Sequence, residues 1–342
     1  MRFFLRPFSL VYGAVIFLRN LLYNLNIFSS KKINYSIGVG NLSMGGTGKS
    51  PLAIYLADYI LSIGGEPALL SRGYGRKTKG FLEVKASSSS DLVGDEPLMF
   101  KQRFETSAHV FVCENRTLGS DNIRKQLPNC TLLYDDIMQH RKISTEFCIL
   151  TTPFNDPFHR DSLLPAGRLR EPRGSAKRAD CILVTKCPNE MSSVESSELK
   201  KALSSHKKPV FFSRIEYLSI RPLGKTIENI QNILLVTGIA DPSHLIEHLN
   251  QSYKIETISF PDHHAFGKSD IEKIHEKFGI FDPKDSIILT TEKDKVRLSK
   301  FDSIVSNEKT PWYYQPMNIL IEDDVKFKSL IKEHVRTIQR SG

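Results

Sequence analysis

The sequence predicts an α/β protein with a parallel central sheet and a second, smaller α/β domain. Three observations carry that prediction. Short apolar, β-branched runs (YSIGVGNL, PALLSRGY, HVFVCEN, CTLLYDD, FCILTT, DCILVTK) alternate with helical stretches such as PLAIYLADYILSIG, the pattern of strands covered on both faces by crossover helices. The first strand runs into GNLSMGGTGKSP at residues 40–51, a glycine-rich turn ahead of a helix. After residue 205 the pattern restarts with PVFFSRIEYL, ILLVTGIA, KIETISF and SIILTTEKD, enough for a second unit of about a hundred residues.

The N-terminal stretch MRFFLRPFSLVYGAVIFLRNLLYNLNIF is apolar and aromatic, but only 12 uncharged residues separate Arg6 from Arg19. A bilayer span needs roughly 20. No small-residue cleavage site follows, so neither a span nor a signal peptide is expected. Residues 1–28 read instead as a membrane-surface helix, with Arg2, Arg6 and Arg19 at the head groups and the apolar side chains in the acyl boundary. The alternative is a helix packed on the protein's own core. A first domain is expected over 29–208 and a smaller one over 209–320. Linker strands near 209–217 and 312–320 would form a two-stranded hinge, and 321–342 a final helix returning to the first domain.

Bulk composition limits the function. At 342 residues, 40% hydrophobic and 25% charged, the chain has the composition of a folded protein. Forty-seven Lys and Arg against 38 Asp and Glu give a net charge of +9, which favours nucleotides, nucleic acids, phospholipid head groups or phosphorylated substrates. The five cysteines, Cys113, Cys130, Cys148, Cys181 and Cys187, never occur in C-x-x-C spacing. That points to reduced, buried thiols in a cytosolic compartment and away from disulfides or a structural zinc site.

The glycine-rich turn has the parts of a phosphate-binding loop. Gly45, Gly46, Thr47 and Gly48 supply the curling backbone, Lys49 the charge for the β and γ phosphates, and Ser50 a hydroxyl for Mg²⁺. Ser43 stands where the usual pattern has its first glycine, which asks only that the loop enter with a backbone angle open to serine. The competing readings are a chance G-K-S or a defective dinucleotide fingerprint beginning at Gly38. TKCP at 185–188 lacks the aspartate of a guanine-reading motif, so ATP is the expected nucleotide.

A kinase also needs carboxylates and positive charge around the transferring group. Asp95 and Glu96, and Asp135 and Asp136 at the end of an apolar run, are the candidates, although isolated acidic pairs are commonly solvated surface. Arg72, Arg76, Arg116 and the cluster GRLREPRGSAKR offer the positive charge.

Taken in order, GNLSMGGTGKSP, LLSRGYGRKTKG, VGDEPLM, YDDIMQHR, LLPAGRLREP, VTGIADP, FPDHHAF and LTTEKDKVRL resemble the tetraacyldisaccharide 4'-kinase family, over about residues 37–298. The resemblance implies two α/β/α domains, the first a P-loop sandwich, joined by a two-stranded β linker. It implies transfer of the ATP γ-phosphate to the 4'-hydroxyl of a tetraacylated disaccharide 1-phosphate, a step of lipid A biosynthesis, by a peripheral enzyme at the cytoplasmic face of the bacterial inner membrane. Lys49 and Ser50 would serve the phosphates and Mg²⁺, Asp95 would be the catalytic base and His263 its partner. Glu96 and Asp136 would lie around the metal or substrate. Arg72, Tyr74, Arg116, Asp135 and His140 would line the acceptor pocket, with Asp136 and Gln139 beside them. One departure is Ile137-Met138, where the family commonly has Gly or Ala followed by Phe; a β-branched residue there restricts the backbone that orients Asp136 and Gln139. With His263 in the second domain, closure of the domains is expected to assemble the Asp95–His263 pair.

Two other classes remain as rivals. A membrane-associated P-loop ATPase switch would act without a lipid acceptor, but Met44 occupies the place of the second lysine many such proteins carry. A nucleic-acid binder would use the positive charge, yet no zinc spacing, helix-turn-helix or aromatic-basic motif accompanies it. No nucleic-acid partner and no obligate protein partner is therefore expected.

Overall fold

The computed structural model describes residues 4–306 and 310–337. Fourteen strands are present among them: β1 (Lys31–Gly40), β2 (Pro67–Ser71), β3 (Leu82–Glu83), β4 (His109–Val112), β5 (Thr131–Tyr134), β6 (Ile143–Pro153), β7 (Cys181–Thr185), β8 (Val210–Tyr217), β9 (Arg221–Pro222), β10 (Asn232–Thr237), β11 (Lys254–Ser259), β12 (Ser286–Thr291), β13 (Trp312–Gln315) and β14 (Met317–Ile321). They form a nine-stranded sheet, in the order β14-β8-β7-β6-β1-β5-β2-β4-β3, and a five-stranded sheet, β11-β10-β12-β13-β9. In the larger sheet every pair from β8 to β4 is parallel, and only the edge strands β3 and β14 run antiparallel.

Alternate residues of single strands enter different cores, as a pleated strand buried on both faces requires. Leu69, Leu133, Ile149 and Leu183 belong to one cluster, while Leu70, Leu132, Leu150 and Ile182 belong to the other. The helix Lys49–Ser62 covers the first face with Leu52, Leu56 and Ile60, spaced four residues apart and fully buried. Each such side chain is worth roughly 1.5–3 kcal/mol of burial. The smaller sheet repeats the arrangement, with Leu234, Val236 and Ile288 in one core and Ile233, Leu235, Ile287 and Leu289 in the other.

The connection between the sheets differs in detail from the sequence expectation. β8 pairs with β7 through Val210–Phe212 and with β14 from Ser213 to Tyr217, so the ribbon extends the large sheet. The segment expected as one linker strand over 312–320 is two strands. Trp312–Gln315 pairs with β12 in the second sheet, and Pro316 separates it from Met317–Ile321 in the ribbon. Proline lacks the N–H needed to continue a ladder, and the corner is closed by Leu218 N donating to the Pro316 carbonyl at 3.0 Å. The helix Asp324–Lys332 then returns to the first domain, where Phe327 and Ile331 are buried and Phe327 lies against Phe211. The helix is shorter than the expected 321–342: it ends at Lys332, residues 333–337 are not helical, and Thr337 instead forms a bridge to Gly65, while residues 338–342 lie outside those described.

The N-terminal helix is Arg6–Asn24, and among the described residues no helix is long and apolar enough to cross a membrane. Phe8, Leu10, Val11, Val15, Phe17 and Leu18 are each more than half exposed. Polar contacts attach the helix to the segment 161–171: Ser9 Oγ donates to Leu163 O and accepts from Ala166 N, and Tyr12 Oη donates to Arg170 O at 2.9 Å. Arg19 corrects the head-group expectation, since it lies 3.4 Å from the fully buried carboxylate of Glu171. Asn20 and Arg178 donate to the same group, because a buried carboxylate must be hydrogen-bonded and paired. Arg2 lies outside the described residues. All five cysteines are free and buried, and burial pushes their thiols up.

Candidate active site

β1 delivers the chain to the phosphate-type loop. Asn41 Nδ2 donates to Ser43 O at 2.7 Å and to Thr47 Oγ1 at 2.8 Å, and Thr185 Oγ1 donates to Thr47 O. Ser43 is accommodated because its segment is extended: it bridges Leu169, flanked by Met44 N to Arg168 O and Arg170 N to Leu42 O. Positive φ is confined to Gly45 and Gly48 in this loop, and at Gly48 a Cβ would also sit 3.1 Å from Thr185. Lys49 and Ser50 then open the helix, whose N-terminal amide groups favour an anion.

Carboxylates from two segments meet this loop. Lys49 Nζ lies 3.7 Å from Asp136 Oδ1, and Arg170 grips both Asp136 oxygens at 2.8 and 2.7 Å. Burial opposes ionisation, but the Arg170 hydrogen bond and the Lys49 charge outweigh it and hold Asp136 at about 2. Asp136 adopts φ of +53°, tolerated by aspartate. Ile137, the departure from the family pattern, is buried over Gly38, where a Cβ would come within 2.6 Å of its Cγ2. Gln139 donates to Asn41 O at 2.9 Å.

Asp135 is the contrast. It is buried, and its Oδ1 takes no hydrogen bond. Burial, reinforced by the negative charge of Glu96, pushes its carboxyl up to about 7. Its folded pKa therefore exceeds the unfolded value of about 4. The resulting stability is fully present below that unfolded value and is lost as pH rises through about 7. Asp135→Asn, which cannot ionise, should melt above the wild type at pH 8, with the gap closing at pH 5; equal gaps in thermal melts at both values would contradict the assignment.

The second pair begins the helix Asp95–Phe104, after Gly94 at φ +92°. Ser50 Oγ donates to Glu96 Oε1 at 3.0 Å, and Lys293 Nζ reaches the same oxygen at 3.3 Å from the other domain. Burial pushes the Glu96 carboxyl up, yet the charges of Lys293 and Lys49 prevail and hold it below its ordinary range. Asp95 Oδ2 accepts from Arg297 Nε at 2.6 Å and lies 3.4 Å from His263 Nδ1. Here too burial is outweighed, by hydrogen bonds from His263 and Arg297, and the Asp95 carboxyl is held below the usual range. His263 sits in a turn at φ +60°, its N donating to Gly238 O.

The expected acceptor residues are distributed unevenly. Tyr74 is 74% exposed, with its ring 5.6 Å from that of His263, and Arg72 is also exposed. Arg116 is buried and donates to the carbonyls of Cys113 and Asp135, so it braces Asp135 through the backbone. Burial, and then the charge of Arg116, pushes His140 down to about 4. Beside the loop, a cleft of about 230 Å³ is lined by Met44, Gly45, Arg168 and Lys186 from the first domain and Asp241 and His244 from the second.

Among the described residues, no group of three or more His, Cys, Asp or Glu is arranged to hold a metal ion. Mg²⁺ does not require one, since it keeps water and phosphate oxygens and takes one or two carboxylates. The hard oxygens of Ser50, Glu96 and Asp135 fit it, the last because its buried Oδ1 has no donor. Asp136, expected to share that role, has both oxygens engaged by Arg170.

A glycine-rich loop opening a helix at Lys49-Ser50, with acidic side chains converging on it and a second α/β domain over it, defines a two-domain P-loop phosphotransferase. The chain belongs to the tetraacyldisaccharide-1-P 4'-kinase family, whose model matches residues 1–336. The tetraacyldisaccharide 4'-kinase of Flavobacterium psychrophilum is 38% identical over 347 residues, covering 98% of this chain and 97% of its own length. That of Phocaeicola vulgatus is 35% identical, covering 99% and 96%. The crystal structure of the "apo" form of LpxK from Aquifex aeolicus in complex with ATP superposes with a TM-score of 0.74 at 28% identity, over 97% of this chain and 99% of the other.

Proposed function

We propose that the interdomain cleft transfers the γ-phosphate of ATP to the 4'-hydroxyl of a tetraacyldisaccharide 1-phosphate, with Asp95 accepting the hydroxyl proton. The supporting observation is one of adjacency: Glu96 touches the loop serine while Asp95, the preceding residue, faces His263 across the cleft. Nucleotide charge and proton acceptor thus fall on one helix turn.

Phosphoryl transfer asks mainly for positioning and charge. The amides of Gly45–Gly48 and the Lys49 ammonium bind and orient the phosphates. Ser50 and Glu96, with Asp135, would hold Mg²⁺, which when bound neutralises charge on the β and γ phosphates. Asp95, with a depressed pKa, remains ionised at neutral pH and takes the proton as the new bond forms. Arg72 and Tyr74 are free enough to reach a phosphorylated, acylated sugar. The acceptor hydroxyl is tested with a tetraacyldisaccharide 1-phosphate lacking the 4'-hydroxyl. It should receive no phosphate while the parent lipid does, and phosphorylation of both would refute the proposed position.

The exposed apolar row of the Arg6–Asn24 helix suits the surface of a bilayer that contains such a lipid. On this reading the enzyme works at the cytoplasmic face of the bacterial inner membrane, where ATP and the lipid coexist, and the exposed apolar row supports that reading. Removal of residues 1–28 should abolish co-flotation with anionic phospholipid vesicles; retained binding would put the anchor elsewhere.

A further inference from the structure

The segment LTTEKDKVRL brings two cations to the cleft. Lys293 and Arg297, four residues apart on the helix Glu292–Leu298, meet the adjacent carboxylates Glu96 and Asp95. The Arg297 side chain is only 3% exposed and is itself locked: Nη1 donates to Gly238 O and to Asp294 Oδ1, both at 2.7 Å. Asp294 is held in turn by Gly238 N and Thr291 Oγ1. A guanidinium presents its donors in a rigid, planar fork, so this frame fixes where Nε points.

We propose that Arg297 is a positioning residue for phosphoryl transfer, holding Asp95 by Oδ2 so that Oδ1 is the oxygen that receives the acceptor hydroxyl's proton. Both second-domain contacts to Asp95 use Oδ2, from Arg297 at 2.6 Å and His263 at 3.4 Å. Among the described residues Oδ1 takes no hydrogen bond, and the Asp95 side chain is 20% exposed. His263 cannot supply the hold by itself. Its Nδ1 also lies 3.1 Å from Arg297 Nη2, and a neutral imidazole nitrogen either donates to Asp95 or accepts from Arg297. Arg297 is always charged and always a donor, and it grips Asp95 in either tautomer. In the step itself, the hydroxyl oxygen bonds the γ-phosphorus as the bond from that phosphorus to ADP breaks. The bonding pair leaves with the ADP oxygen, and the hydroxyl proton goes to Asp95 Oδ1. Because Arg297 comes from the second domain, the base is oriented only when the two domains meet.

This rests on Asp95 being the proton acceptor, and the experiment separates the two claims. Steady-state kinetics of the full-length enzyme in detergent micelles are compared for wild type, Arg297→Lys, Arg297→Met, Asp95→Asn and the corresponding double variants. Arg297→Met should lower kcat by about 100-fold through misplacement of the base, with KM for ATP and lipid changed less than about 3-fold. Arg297→Lys keeps the charge and should recover part of that loss, and its melting temperature guards against a simple failure to fold. In the Asp95→Asn background either Arg297 change should alter kcat by less than about 2-fold, since the two act as a unit. An Arg297 loss that persists in full in that background overturns the inference, as does unchanged or increased kcat in Arg297→Met. If Asp95→Asn alone leaves kcat intact, the proton-acceptor assignment falls and the inference with it. If Asp95→Asn collapses kcat while both Arg297 variants keep theirs, only the inference falls.

Discussion

Lys49→Ala should lower kcat/KM by about 1000-fold, the loss expected when one preorganised charge at the transferring group is removed. Lys49 leads the loop helix and lies 3.7 Å from an Asp136 oxygen that Arg170 also holds. Its ammonium is therefore already directed toward the acidic side of the cleft. The fold should survive the change, because the helix is stabilised by Leu52, Leu56 and Ile60 rather than by Lys49. The measurement is lipid phosphorylation at varied ATP, alongside a thermal melt. Undiminished turnover would defeat the loop assignment; a melt lowered by many degrees would make Lys49 structural.

Asp95→Asn should collapse kcat by about 10²–10⁴-fold, the range for loss of a general base, while nucleotide affinity stays nearly constant. The asparagine keeps an oxygen for Arg297 and the shape of the carboxylate, so the domain contact persists. What disappears is the negative charge that accepts a proton. Equilibrium binding of a nucleotide analogue separates the effects. Parallel loss of binding and turnover would recast Asp95 as a residue that holds the domains together.

Much of this was legible in the sequence. β-branched runs alternating with helices encode a parallel sheet because both faces of each strand must be buried, and the structure divides alternate residues between two cores. The loop was legible because glycine, lysine and hydroxyl have to follow one another along the chain. The cross-cleft contacts were not. Arg170 was visible only as part of a basic cluster, and its grip on Asp136 depends on the bridge that lays Leu169 against Ser43. Lys293 and Arg297 had a weak signal, two cations four apart just after a strand. That spacing puts them on one helix face but says nothing of what they face. Arg19 was misassigned for a similar reason: its partner Glu171 is distant in sequence. The split at Pro316 was readable in principle, since proline interrupts a ladder, but which sheet took each half depends on tertiary pairing.

The most direct test follows radiolabelled γ-phosphate from ATP in a single incubation with tetraacyldisaccharide 1-phosphate in detergent micelles. Label should appear in the lipid with the wild-type enzyme and be absent from it with Asp95→Ala. ATP bound and hydrolysed with no label in the lipid would contradict the account and leave a P-loop ATPase in its place.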